Sequence, residues 1–138
     1  MKYKSWLSAL LIGVLTVMIG GCATSAPFEL QILLDKQPYK LVTMKEIKTM
    51  PVESFIKDGK VESGPSITTL LQFAGIQTYS KIEVMNKAYE LVEFTSEQNL
   101  NQLILDITNR GNVKLASEFI PKKNWMKDIT TIAVTTHP

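Results

Sequence analysis

One cysteine, one histidine and one arginine, Cys22, His137 and Arg110, occur in 138 residues. With a single thiol the chain cannot form an internal disulfide, so any folded domain must stand on its packed core. The lone histidine lies beside Pro138, where a terminal segment is ordinarily frayed and solvated, and it makes a poor candidate for acid–base work. Fourteen of the 15 basic residues are therefore lysines, which offer point charges without arginine's planar fork for carboxylates and phosphates. No glycine-rich phosphate loop, metal-ligand spacing or Ser/His/Asp arrangement is present. The acid pairs Glu90 with Glu93 and Glu46 with Glu53 have no histidine or nucleophile near them in sequence, and they read as solvated faces. Internal repeats and low-complexity segments are absent too.

What is present begins with the N-terminal layout. Lys2 and Lys4 precede an apolar run from Trp6 to Ile19, which is short for the roughly 20 residues a membrane span needs. A charged start, an apolar centre and the small Gly20-Gly21 form the three parts of a secretory signal. Ile19-Gly-Gly-Cys22 resembles the bacterial lipobox read by signal peptidase II, which implies cleavage before Cys22 and diacylation of its thiol. The sequence is thus expected to comprise a lipoprotein signal peptide at 1–21, a lipidated tether at 22–27 and a single domain at 28–138. That domain is expected outside the cytoplasm, held to the cell membrane by its lipid.

Removing residues 1–21 takes away Lys2 and Lys4 of the 15 basic residues and none of the 13 acidic ones, leaving equal numbers. A formally neutral domain argues against nucleic acid as a partner, because such binders concentrate basic charge on one face.

Apolar alternation at Phe28, Leu30, Ile32 and Leu34, the turn Asp35-Lys-Gln-Pro38 and the stretch Tyr39–Val42 predict an opening hairpin. Thr43-x-x-Glu46 predicts a capping box, with Pro51 stopping the short helix it starts. Asp58-Gly59 predicts a hairpin turn within 52–63, followed by a turn at Gly64-Pro65. Ile67, Leu70, Leu71 and Ala74 share one helical face, and Gly75 caps it. Residues 81–85 and 89–94 read as a hairpin across Asn86-Lys87, and Thr95–Leu100 as one helical turn. Strands at 103–107, 113–119 and 130–134 complete about eight, with a turn at Asn109-Arg-Gly-Asn112. Met44, Met50 and Met85 read as core filler. The class is α+β, strand-dominated, with two or three short helices.

The order of these motifs, from Val42–Pro51 through Gly64–Ile76 and Lys81–Val84 to Gly111–Leu115, Asn124–Ile129 and Thr131–Val134, resembles the oxidoreductase molybdopterin-binding domain of the sulfite-oxidase type. The resemblance covers most of the chain from Phe28 onward and implies mixed sheets and a pocket shaped for a pterin. Enzymes of that family ligate molybdenum through a cysteine thiolate within the domain and present several arginines and usually a histidine to oxyanions. This chain departs on each count, since Cys22 precedes the domain and only Arg110 and His137 remain. Soft thiolate is the ligand another side chain replaces least well, so the resemblance supports the fold and not the chemistry.

Candidate ligand-binding residues follow from turns that match the family's. Arg110 and Asn112 could donate hydrogen bonds to a ligand's carbonyl or anionic edge, with Lys114 close in sequence, although Asn, Gly and charged residues also suit an ordinary exposed turn. Lys123 and Trp125, in the loop after Pro121, combine a polar donor with an aromatic that could stack on a heterocycle or anchor the rim. Ser54 is a candidate by position in the first internal hairpin, and Glu118 either lines a cleft or faces water. Three functions are compatible: a non-catalytic binder of a small ligand such as a pterin, without molybdenum; a docking subunit for a membrane protein complex; and a molybdopterin oxidoreductase.

Overall fold

The structure, a computed structural model, describes residues 26–137. The described residues form nine strands and two short α-helices. β1 (Glu29–Leu34) and β2 (Gln37–Thr43) make the opening hairpin, turning at Asp35 and Lys36. Both turn residues have positive φ, 48° and 69°, the twist that suits a two-residue connection between right-twisted strands. The Asp35 carboxylate accepts from the Thr136 backbone N–H at 2.9 Å and hydroxyl at 2.6 Å, which ties this turn to the end of the chain. Those hydrogen bonds hold its carboxyl below the ordinary aspartate value.

Thr43 starts α1 (Met44–Ile47) with both halves of the predicted capping box, its hydroxyl accepting from Glu46 N–H and its own N–H donating to the Glu46 carboxylate. β3 (Glu53–Lys57) and β4 (Lys60–Gly64) pair across Asp58-Gly59 as expected. Ser66 caps α2 (Ile67–Phe73), which buries Ile67, Leu70 and Leu71, and Gly75 follows at φ 78°. β5 (Lys81–Asn86), β6 (Leu91–Thr95), β7 (Leu103–Ile107), β8 (Val113–Ser117) and β9 (Ile129–Thr135) complete the chain.

Five strands form one mixed sheet in the order β2-β1-β9-β5-β6, while β3-β4 and β7-β8 are separate two-stranded ladders. The first and last strands of the domain, β1 and β9, run parallel from Gln31↔Thr131 to Leu34↔Val134. Leu30, Ile32, Ile82, Val84, Ile132 and Val134 are buried on the sheet, and α2, Ile47, Leu103 and Leu105 join them in one continuous core. β7 is buried at its first three positions, as a strand covered on both faces should be.

Three local expectations need correction. The helical turn expected at Thr95–Leu100 lies later, as a 3-10 turn over Leu100–Gln102 capped by the Asn99 side chain. The β5–β6 turn spans four residues, because Asn86 ends β5 and its side-chain oxygen accepts from both Ala88 and Glu90 N–H. Tyr89 therefore sits in the turn, 85% exposed, instead of opening β6. Met50 is buried and Met44 packs on the core, whereas Met85 alternates with the buried Val84 and is only half-buried.

Candidate functional site

Parallel pairing of β1 with β9 brings the first described residues to the same edge of the sheet as the start of β9 and the end of β5. At that edge the turn between β7 and β8 meets the segment before β9. Its Thr108 N–H donates to the Asn112 carbonyl at 2.8 Å, and Gly111 adopts φ 76°, a left-handed conformation that glycine enters without strain. Asn112 then donates through Nδ2 to the Asp128 carboxylate at 2.7 Å. Asp128 itself has φ 55°, and its carbonyl accepts from Lys87 N–H at 2.9 Å.

These contacts frame an open cavity of about 670 Å³ between Phe28, Lys87, Arg110, Asn112 and Asp128. A second cavity of about 440 Å³ shares Lys87 and Asp128 and continues past Glu90 and Lys127 to Trp125. Both volumes fall in the range of small-molecule sites. Chemically the first offers guanidinium, amide and ammonium donors beside one carboxylate acceptor, a set that recognises a polar edge carrying both donors and acceptors.

The predicted residues are only partly gathered. Arg110 and Asn112 share the larger cavity and Trp125 reaches the second, whereas Lys123 is exposed on the 3-10 turn Lys122–Asn124 and lines neither. Ser54 lies with Glu118 in a separate cavity of about 130 Å³. Cys22 is outside the described residues. His137 is exposed just past β9, whose end is the opposite edge of the sheet. Lys87 and Asp128 are the site residues that sequence reading missed, since nothing local distinguishes them from other loop charges.

Trp125 is committed to the fold. Its Nε1 donates to the carbonyls of Ser117 and Ile120, each at 3.1 Å, and Phe55 meets it edge-on at 6.0 Å between centroids. Lys114 Nζ lies 5.1 Å from the ring centre and Lys122 Nζ 5.7 Å, both within cation–π range.

Beneath that ring lies a buried ionic cluster joining β4, β7 and β8. Lys114 Nζ contacts Glu62 at 2.7 Å and Asp106 at 3.0 Å, with all three side chains largely shielded. Burial raises the Asp106 carboxyl above the ordinary 3.8, and neighbouring Glu62 adds to this against the pull of Lys114. Burial would raise Glu62 as well, but hydrogen bonds from Lys114 and from Asp106 carry it below its ordinary value. The two acids move in opposite directions because burial is the largest effect at Asp106, whereas at Glu62 the hydrogen bonds it accepts together outweigh burial. Burial would lower Lys114, yet its two carboxylate partners hold it above its ordinary value.

A raised folded value means that Asp106 contributes stability in its protonated form, fully present below its unfolded value and lost as pH rises through the folded one. Asp106→Asn, which imitates that form, should melt above wild type at pH 7, and the gap should close as pH falls toward about 4. Calorimetric melting across this range checks it; a variant less stable at pH 7, with a gap that widens in acid, would contradict the assignment.

Among the described residues no group of three or more His, Cys, Asp or Glu side chains is placed to hold a metal ion. No helix among them is long and apolar enough to cross a membrane.

No protein-family model and no curated protein matches the sequence. A solved structure does match the fold. The chain is similar to the sulfane dehydrogenase SoxCD from Paracoccus pantotrophus, with a TM-score of 0.63 at 12% identity over 80% of this chain and 38% of that one. Likeness at that identity is likeness of fold, and this chain spans well under half the length of the protein it matches. The strand-dominated α+β class read from the sequence agrees with both the structure and this relative.

Proposed function

We propose that this protein is an extracytoplasmic lipoprotein, anchored through Cys22, whose domain binds a small planar ligand such as a pterin without molybdenum chemistry. The observation that carries the reading is the meeting of Arg110 and Asn112 with Lys87 and Asp128 around one cavity of ligand size. The fold likeness to a sulfane dehydrogenase and the motif order of a molybdopterin-binding domain support it. A pterin's fused ring presents a carbonyl beside an amino-substituted nitrogen edge. Arg110 can donate to the former, and Asp128 can accept from the latter.

The residues do not fit molybdenum itself. Within 26–137 there is no thiol to ligate it, and no step is assigned to that metal.

Equilibrium titration with reduced and oxidised pterins tests the ligand reading. Arg110→Ala and Asp128→Asn should each weaken binding by about tenfold or more, as loss of a charge-assisted hydrogen bond does. Absence of binding at millimolar pterin would sink it.

A second reading, docking to a membrane protein complex, is favoured by β2. This strand is one edge of the five-stranded sheet, and it carries Tyr39 and Leu41 half-exposed on one face. An unpaired edge with apolar side chains is a template for another chain. Recovery of one stable partner from detergent extracts, lost on Leu41→Lys, would favour this reading over ligand binding.

A further inference from the structure

The β3–β4 hairpin has two unlike faces. Phe55 and Glu62, paired across it, turn inward to Trp125 and to the Lys114 cluster. The alternate pairs, Ile56 with Val61 and Ser54 with Ser63, turn outward, leaving Ile56 69% and Val61 68% exposed. Lys57 and Lys60 flank the tip, and Asp58 in the tip pairs with Lys122 at 3.7 Å.

From this tip a surface can be followed to where the described chain begins. Lys122 stands over the Trp125 ring, Trp125 borders the cavity of Lys127 and Lys87, and Lys87 borders the cavity of Arg110 and Ala26. Along it lie six basic side chains, Lys57, Lys60, Lys87, Arg110, Lys122 and Lys127, against four acids, Asp58, Glu90, Glu118 and Asp128, with Lys57 Nζ donating to the Glu118 carbonyl. Basic side chains thus outnumber acidic ones along this side. Tyr89, in the β5–β6 turn beside Lys87, adds an aromatic ring almost fully in solvent.

Acylation of Cys22, as proposed above, sets what this side faces. Four peptide units separate Cys22 from Ala26 and reach at most about 14 Å when extended. A lipid on Cys22 therefore brings the edge bearing Ala26, Lys87 and Arg110 to the headgroups, while the opposite edge, at Ser96 and Thr136, stands roughly a strand length of 20 Å farther away.

We propose that this basic side, from Arg110 and Lys87 to the β3–β4 tip, lies against an anionic phospholipid surface, with Ile56, Val61 and Tyr89 entering the headgroup layer. Lysines drawn to anionic lipid and apolar or aromatic side chains at the interface are the two components of such contact. A bilayer placed there partly roofs both cavities, so that a ligand enters from the side. The proposal rests on Cys22 acylation and is independent of which ligand is bound.

The full processed chain, reconstituted into vesicles of phosphatidylglycerol and phosphatidylcholine, tests it. Ile56→Cys and Ser96→Cys are labelled with an environment-sensitive fluorophore, and quenching by nitroxide lipid is compared after subtracting the wild-type signal. Label at residue 56 should be quenched and blue-shifted, and label at 96 should not. Omitting phosphatidylglycerol, or combining Lys60→Glu with Lys127→Glu, should remove the difference. Equal quenching at both sites, or a difference indifferent to phosphatidylglycerol, overturns the proposal. Failure of the anchor is read separately: if wild type takes up label, its thiol is free and Cys22 is not acylated.

Discussion

Lys114→Met should destabilise the domain by about 3 to 5 kcal/mol, the range found when one partner of a buried ion pair is removed. Lys114 is the only cation on Glu62 and Asp106 among the described ion pairs, at 2.7 and 3.0 Å, and Glu62 is 6% exposed. Methionine matches the aliphatic stem but leaves two carboxylates facing one another out of water. Three strands converge here, so the loss falls on the joint between the β3–β4 hairpin and the β7–β8 ladder. The Trp125 ring also loses the ammonium 5.1 Å from its centre. Urea denaturation at pH 7 reads the effect. Adding Glu62→Gln and Asp106→Asn to Lys114→Met should restore much of the loss, because the penalty lies in the stranded charges and not in the missing attraction. If the triple variant is no better than the single one, packing of the lysine stem governs this joint.

Gly64→Ala is expected to be comparably severe for a different reason. A methyl group built on Gly64 falls on the backbone carbonyl of Leu105, and backbone cannot rotate aside as a side chain would. β4 would have to leave β7, stretching the hydrogen bond from Leu105 N–H to the Pro65 carbonyl, now 2.9 Å long, and the bridge between Ser66 and Ile104. The next two residues, Pro65 and Ser66, are buried, so the displacement opens the core above α2. Overpacking of this kind ordinarily costs about 1 to 3 kcal/mol, and a clash with main chain belongs at or above the upper end. Thermal melting against a Val61→Ala control, a change at an exposed position of the same strand, isolates the effect. A Gly64→Ala chain that melts with the control would show that the hairpin is not clamped to β7.

The two substitutions probe the same joint, and neither could have been chosen from the sequence. Gly64-Pro65 reads as a turn, yet Gly64 has no positive φ among the described glycines and is required because another strand's carbonyl occupies the space of its side chain. Glu62 alternates with exposed residues in a short polar strand and looks solvated, while its partners lie 44 and 52 positions further on at Asp106 and Lys114. Arg110 and Asn112 were legible as a turn with donors. That they face Asp128 and Lys87 was not, because the meeting depends on where β9 and β5 end.

Local chemistry settled much else. Thr43 and Glu46 satisfy each other's backbone and begin α1 wherever the helix lies, and Asp58-Gly59 closes a hairpin through backbone conformations available to those two residues. Apolar alternation set which face of each strand is buried, as Ile82 and Val84 show in β5. These are interactions between residues a few positions apart, and one sequence records them directly. The parallel pairing of β1 with β9, the contact of Lys114 with Glu62 and the meeting of Arg110 with Lys87 at one edge join residues about 100, 52 and 23 positions apart. Sequence by itself determined the strand-rich α+β class and its local turns and caps; only the tertiary structure decided which charges are buried and which residues share a cavity, because those depend on side-chain neighbours that chain order does not specify.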